Sequence, residues 1–243
     1  MKLRFAYAAL VLTCVVPLLG LLYRGTMLVL DWDWVPLFVP SQVDNLPLLI
    51  HVAGAGVYYP LAALQIAPAF RNTYPRWHRN AGKVAIVAGI ASAFSATWLT
   101  LVHPDVSGPI LYYGRVVVGP LWALFLLLGL AAIRQRDFER HRDWMIRAFA
   151  ISMPASTLVF FIVPFSLVLG GVPELVDDGI QPVLWVLHLA VAETVIRRIR
   201  RSSFTIQSKG VSRDVHKADM RGSGRSDGGW LRRPKLRLCG DRR

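Results

Sequence analysis

The stretch His51–Lys83, HVAGAGVYYPLAALQIAPAFRNTYPRWHRNAGK, decides the fold class. Leu46 to Ala69 carries no charged residue. At ~1.5 Å per residue, a helix of that length crosses the ~30 Å hydrocarbon layer of a bilayer. Arg71, Arg76, Arg79 and Lys83 then crowd the segment that follows, which reads as a basic loop. One histidine, His51, stands at the start of the span, and a second, His78, stands in the loop. The stretch therefore supplies a membrane span, an orientation signal and two groups able to do chemistry.

The rest of the chain agrees with a membrane assignment. Of 243 residues, 54% are hydrophobic and only 18% charged, and the charges sit between long apolar runs. Six such runs predict an all-α polytopic helical membrane bundle of six transmembrane helices. The first follows MKLRF and continues to Tyr23; it is read as an uncleaved span because no small-x-small cleavage site follows it. The second is the opening stretch. The third, about Gly82 to Val102, carries Gly82, Ala85, Gly89, Ala93 and Ala96 at helical spacing, a stripe that lets helices approach closely in lipid. The fourth runs from about Ile110 to Ile133, and the fifth from about Trp144 to Leu169 with Pro154 and Pro164 inside it. The sixth runs from about Pro182 to Ile196 and is closed by Arg197 to Arg201.

A net charge of +13 invites a nucleic-acid reading, but its distribution opposes one. Alternate loops are basic: Lys2 and Arg4, then Arg71 to Lys83, Arg134 to Arg147, and Arg197 onward. The intervening loops carry Arg24 against Asp31, Asp33, Asp44, Asp105, Glu174, Asp177 and Asp178. The positive-inside rule then puts both termini in the cytoplasm, as for a protein of the bacterial inner membrane. Nucleic acid is not an expected partner; the lipid bilayer is. Residues 1–45 form the first span and its outer loop, 46–201 the main bundle, and 202–243 a basic tail. That tail holds eleven Lys or Arg against four Asp and has no apolar periodicity. It is expected to be disordered and to contact anionic lipid. Cys14 lies in an apolar run and Cys239 in the tail, so no disulfide is expected.

The candidate functional residues are His51, His78, His141, His188 and Arg115. By this topology His78 and His141 stand toward the inner face, His51 and His188 toward the outer face at comparable depth. Two imidazoles facing one another across a bundle are what bis-histidine ligation of a b-type haem needs, and Arg115 is placed to meet haem propionates. Each histidine has a plainer reading, a bond to a carbonyl or a headgroup, and Arg115 a snorkelling one. Glu193, four residues before Arg197, has an ion pair with it as its plainest reading. No metal-spaced cysteines, nucleotide-binding loop or nucleophile motif is present, so hydrolytic and phosphoryl-transfer chemistry find no support. Two functions remain. One is a membrane electron carrier holding haem b, with a redox partner and no metal beyond the haem iron. The other is a non-redox membrane protein, binding a small solute or lipid or serving as a partner subunit, with the same polar groups lining a cavity.

Several motifs are familiar together. His51-x-x-Gly54, Gln65 followed by Arg71, His78-Arg79-x-x-Gly82-Lys83, and above all Arg140-His141-Arg142-Asp143-Trp144-Met145-Ile146-Arg147 resemble a bacterial integral-membrane family, domain of unknown function 2306. The pattern Trp185 to Glu193 is similar too. The resemblance covers roughly Leu46 to Arg198 and implies a multi-pass helical bundle without an established activity. The chain departs from the family pattern after Thr157-Leu158, where an arginine is expected, and at His188, where a smaller polar residue is expected. The resemblance therefore does not make His188 a family ligand.

Overall fold

A computed structural model describes residues 45–66, 68–169 and 173–223, with Val15 and Leu19. Apart from Val15 and Leu19, the predicted first span lies outside the described residues, as do residues 224–243 of the predicted tail. All regular structure among the described residues is helical. The elements are α1 (Asn45–Ile66), α2 (Pro68–Thr73), α3 (Pro75–Val102), a 3-10 turn (Pro104–Val106), α4 (Pro109–Arg134), α5 (Phe138–Ser152), α6 (Pro154–Leu169) and α7 (Glu174–Ser223). Five stretches among them are long and apolar enough to cross a membrane: Leu46–Ile66, Pro75–Val102, Pro109–Arg134, Phe138–Phe161 and Val176–Ser202.

Local sequence explains where these helices start and stop. Proline sits at the first turn of α3 and of α4, where its missing N–H costs nothing. Pro75 thus starts α3 seven residues before the predicted Gly82, so His78 lies on a helix, not in a loop. Asp137 caps α5, its side chain accepting from Arg140 N at 2.9 Å. At the end of α4, Arg136 adopts φ 62°. The N–H of Asp137 then reaches Ala132 O and that of Arg136 reaches Ile133 O, a Schellman closure. The predicted fifth span is interrupted only at Met153, which keeps helical dihedrals (φ −61°, ψ −32°) ahead of Pro154 with its missing N–H, and Phe138–Phe161 remains one candidate span.

Contacts divide the chain into residues 1–196 and 197–243. In the first unit, α1 and α3 form an antiparallel hairpin through α2, α4 packs on α3, and α5 packs on α4. Small residues set the α1–α3 spacing. A Cβ on Gly54 would stand 2.8 Å from Ala88 O and 3.0 Å from Ser92 Cβ, so only glycine fits without moving backbone. Of the small stripe of α3, Ala85, Gly89 and Ala93 are buried and Gly82 and Ala96 half-buried. Over it lies an aromatic core. Tyr58 meets Trp122 edge-on with ring centroids 5.1 Å apart, and Tyr59 meets Phe149 at 6.4 Å. Val87, Phe94, Trp98, Val117 and Val186 point outward instead. An apolar outer surface over a small-residue core is what lipid as solvent permits.

In the second unit the helix of α7 continues to Ser223. Disorder was expected from Ser202; the local bonds of Ser202 Oγ to Arg198 O and Ile199 O are helical ones. Apolar periodicity reports burial, and its loss does not by itself end a helix.

Candidate functional site

Polar groups gather at both ends of the first unit. At the end where α4 begins, Asp178 is buried at 8% exposure. Its carboxylate accepts from Leu111 N at 2.7 Å and Ile110 N at 3.2 Å, filling the capping role that Gly108 cannot. Arg115 donates to Ser107 Oγ at 2.7 Å and Gln181 Oε1 at 3.3 Å. Both partners are uncharged, and the charge of Asp177 acts on it from further off. Arg115 thus ties the start of α4 to the start of α7.

His51 lies near this end of α1. Its Nδ1 is 2.9 Å from Ser92 O, and Ser92 Oγ returns a bond to His51 O at 3.0 Å. A carbonyl only accepts, so Nδ1 carries the proton and Nε2 the lone pair. His188 is held differently. Its Nδ1 donates to Leu184 O at 2.7 Å, and its Nε2 lies 3.2 Å from Thr157 Oγ1. The two rings are thus anchored on different helices, His51 on α3 and His188 on α6 and its own α7, and both nitrogens of His188 are engaged.

At the other end, four of the singled-out residues come together. Gln65 closes α1 and faces Gly82 of α3, whose missing side chain leaves room for the amide: a Cβ there would stand 3.3 Å from Gln65 Oε1. His78 is one turn earlier on α3. Arg71, on α2, and His141, on α5, both lie near enough to act electrostatically on the His78 ring. His141 donates Nδ1–H to Gly129 O at 2.8 Å, leaving Nε2 as its lone pair. Gln65 Nε2 and His78 Nδ1 are buried and have no hydrogen-bond partner among the described residues. A buried nitrogen without a partner costs about 1–3 kcal/mol, and here two lie on neighbouring helices at the same end of the unit. Trp122 Nε1 is a third such atom but sits in the aromatic core beside Tyr58. No group of three or more metal-ligating side chains occurs among the described residues.

Sequence reasoning missed three parts of this picture. Glu193 forms a two-pronged pair with Arg147, at 2.5 and 3.1 Å, across 46 residues, a partner that the sequence reading did not name. Arg147 also covers the Trp144 ring at 4.8 Å, a cation–π contact. Ser92, which orients His51, had no signal beyond being a small residue on α3. The third is the role of Gln65: the sequence reading named it only within a motif, although it is the only amide between His51 and Arg71, in a run where polar side chains are expensive.

These features define a multi-pass, all-helical integral membrane protein with polar sites at its helix ends. The chain belongs to the family of predicted membrane proteins termed domain of unknown function 2306, whose model matches residues 48–196. No curated protein and no solved structure matches it.

Proposed function

We propose that the protein is a non-redox membrane protein that binds a small amphiphile at the inner end of its bundle, between Gln65, Arg71, His78 and His141. The observation that carries this reading is the pair of buried nitrogens, Gln65 Nε2 and His78 Nδ1, without partners among the described residues. An amphiphile offers acceptors at the helix ends and an apolar tail to the surrounding lipid. In this reading the chain has six spans with both termini in the cytoplasm of a bacterium, and its tail follows the anionic leaflet; the loop charges support that orientation. The test is a double-mutant cycle with His78→Ala and His141→Ala, read as thermal stability in detergent and as amphiphile retained through purification. A shared site makes the double change cost less than the sum of the single ones by about 0.5–3 kcal/mol. Additive effects on both readouts reject it.

A second reading, an electron carrier with haem b, is favoured by one observation. His51 and His141 each hold Nδ1–H on a backbone carbonyl, the arrangement that aims a lone-pair Nε2 at a metal. His141 with His78 would be the axial pair, and the arginines around them would meet the propionates. A reduced-minus-oxidised absorbance spectrum of the purified protein decides: haem bands that vanish in His141→Ala favour the carrier, and a colourless protein removes it.

A further inference from the structure

We infer that the ligand of this inner site is an anionic phosphate group, and specifically the headgroup of an anionic phospholipid; the inference rests on the binding site proposed above. The first support is charge. Between Asp44 and Asp105 the chain has no carboxylate, while Arg71, Arg76, Arg79 and Lys83 lie in the α2–α3 corner. The carboxylates at the start of the neighbouring α5 are engaged there or exposed. On α5, Asp143 pairs with Arg142 at 3.0 Å, the N-cap Asp137 accepts from Arg140 N, and Glu139 is exposed. The cationic corner therefore calls for an anion from outside the chain.

The second support is hydrogen bonding. Gln65 Nε2 is a donor, and His78 Nδ1 donates in one tautomer and when protonated. Phosphate oxygens accept several bonds at once, and charge-assisted bonds are about twice as strong as neutral ones. Gly82 lets the Gln65 amide pack against α3, since a Cβ there would stand 3.3 Å from its Oε1. The third support is the setting. Phe70 stacks edge-on to Trp77, centroids 4.6 Å apart, and meets Tyr74 at 5.3 Å. Tyr74 and Trp77 are exposed. Aromatic rings beside arginines at a helix end mark the headgroup level of a bilayer, which is where a lipid phosphate resides. A soluble phosphate satisfies the same donors but makes no use of the exposed aromatic rim.

The test is native mass spectrometry of the full chain released from micelles containing phosphatidylglycerol, phosphatidylcholine or diacylglycerol, with inorganic phosphate as a separate arm. The expected result is retention of one phosphatidylglycerol about tenfold above phosphatidylcholine, with no retention of diacylglycerol. Gln65→Glu, nearly isosteric but repelling an anion, and His78→Gln should each abolish that preference. Arg134→Gln, an exposed arginine outside the cluster, should keep it. A circular-dichroism melt establishes that each variant is folded. Equal loss in Arg134→Gln would mean general adhesion to basic residues and would overturn the inference. Saturation by inorganic phosphate alone would overturn the lipid assignment. Retention of a neutral amphiphile that Gln65→Glu and His78→Gln remove would leave the binding site standing and reject the anion. No retained molecule that depends on those residues rejects both.

Discussion

At the scale of single residues, the sharpest constraint is Gly54. Its Cα lies so near Ala88 O and Ser92 that even a methyl group needs backbone displacement. The same contact holds Ser92 under His51, so packing and the orientation of the histidine are set together. Gly54→Ala should cost about 1–3 kcal/mol by overpacking. Gly179→Ala, where a Cβ meets nothing within 4 Å, should be neutral or stabilising by up to about 1 kcal/mol through helix propensity. Unfolding in a denaturing detergent series measures both. Equal effects of the two changes would show that the α1–α3 approach is looser than described. Residue identity was legible only in part. His51, His78 and His141 stand out as polar groups bordering apolar runs, and Arg115 stands out inside one. The partners that fix their tautomers, Ser92 O and Gly129 O, are backbone atoms brought in by tertiary packing, and no side-chain pattern announces them.

At the scale of elements, the predicted spans two to six appear as helices because length and apolar content report directly on crossing a bilayer. Their ends were less legible. The sequence reading began the third span at the end of the basic stretch, about Gly82, although Pro75 already marked a helix start. It carried the fifth span through Pro154, since proline within a membrane helix is compatible with either a kink or a break. In the structure the interruption is one residue, Met153, which keeps helical dihedrals, and a polar bridge sits beside it: Tyr59 OH donates to Ser152 O at 2.5 Å. Ser152 and Ser156 are buried beside it. Tyr59→Phe removes the donor and leaves a buried carbonyl short of a bond, a loss of about 1–3 kcal/mol. The effect should concentrate locally, so amide exchange over Ser152 to Ser156 should speed up more than over α4. Uniform acceleration in both helices would mean that the hydroxyl supports the whole bundle and not the interruption.

At the scale of the whole molecule, the governing feature is the separation of charge sign between alternate loops. Arg71, Arg76, Arg79, Lys83, Arg134, Arg136, Arg140 and Arg142 all belong to connections, or to helix ends, on one side of the alternating path. Asp105, Asp177 and Asp178 belong to the other. Asp178 shows that this pattern is more than a translocation signal, because its carboxylate is consumed in capping α4 while Asp177 beside it remains exposed. The orientation can therefore be probed at positions that differ in side but not in structural duty. Single cysteines at Asp105 or Asp177, in a background with Cys14 and Cys239 replaced by serine, should react with a membrane-impermeant maleimide applied to intact cells. Cysteines at Asn80 or Gln135 should react only after the membrane is opened. All four positions are exposed or at helix ends, so a difference in labelling reports the side of the membrane and not burial. The inverted pattern would move Gln65, His78 and His141 to the outer face. The basic corner would then no longer lie against the anionic leaflet, and the phospholipid headgroup would lose its electrostatic rationale. Labelling of all four in intact cells would mean that the cells leak or that the helices do not alternate, and a soluble impermeant quencher added beforehand separates these two outcomes.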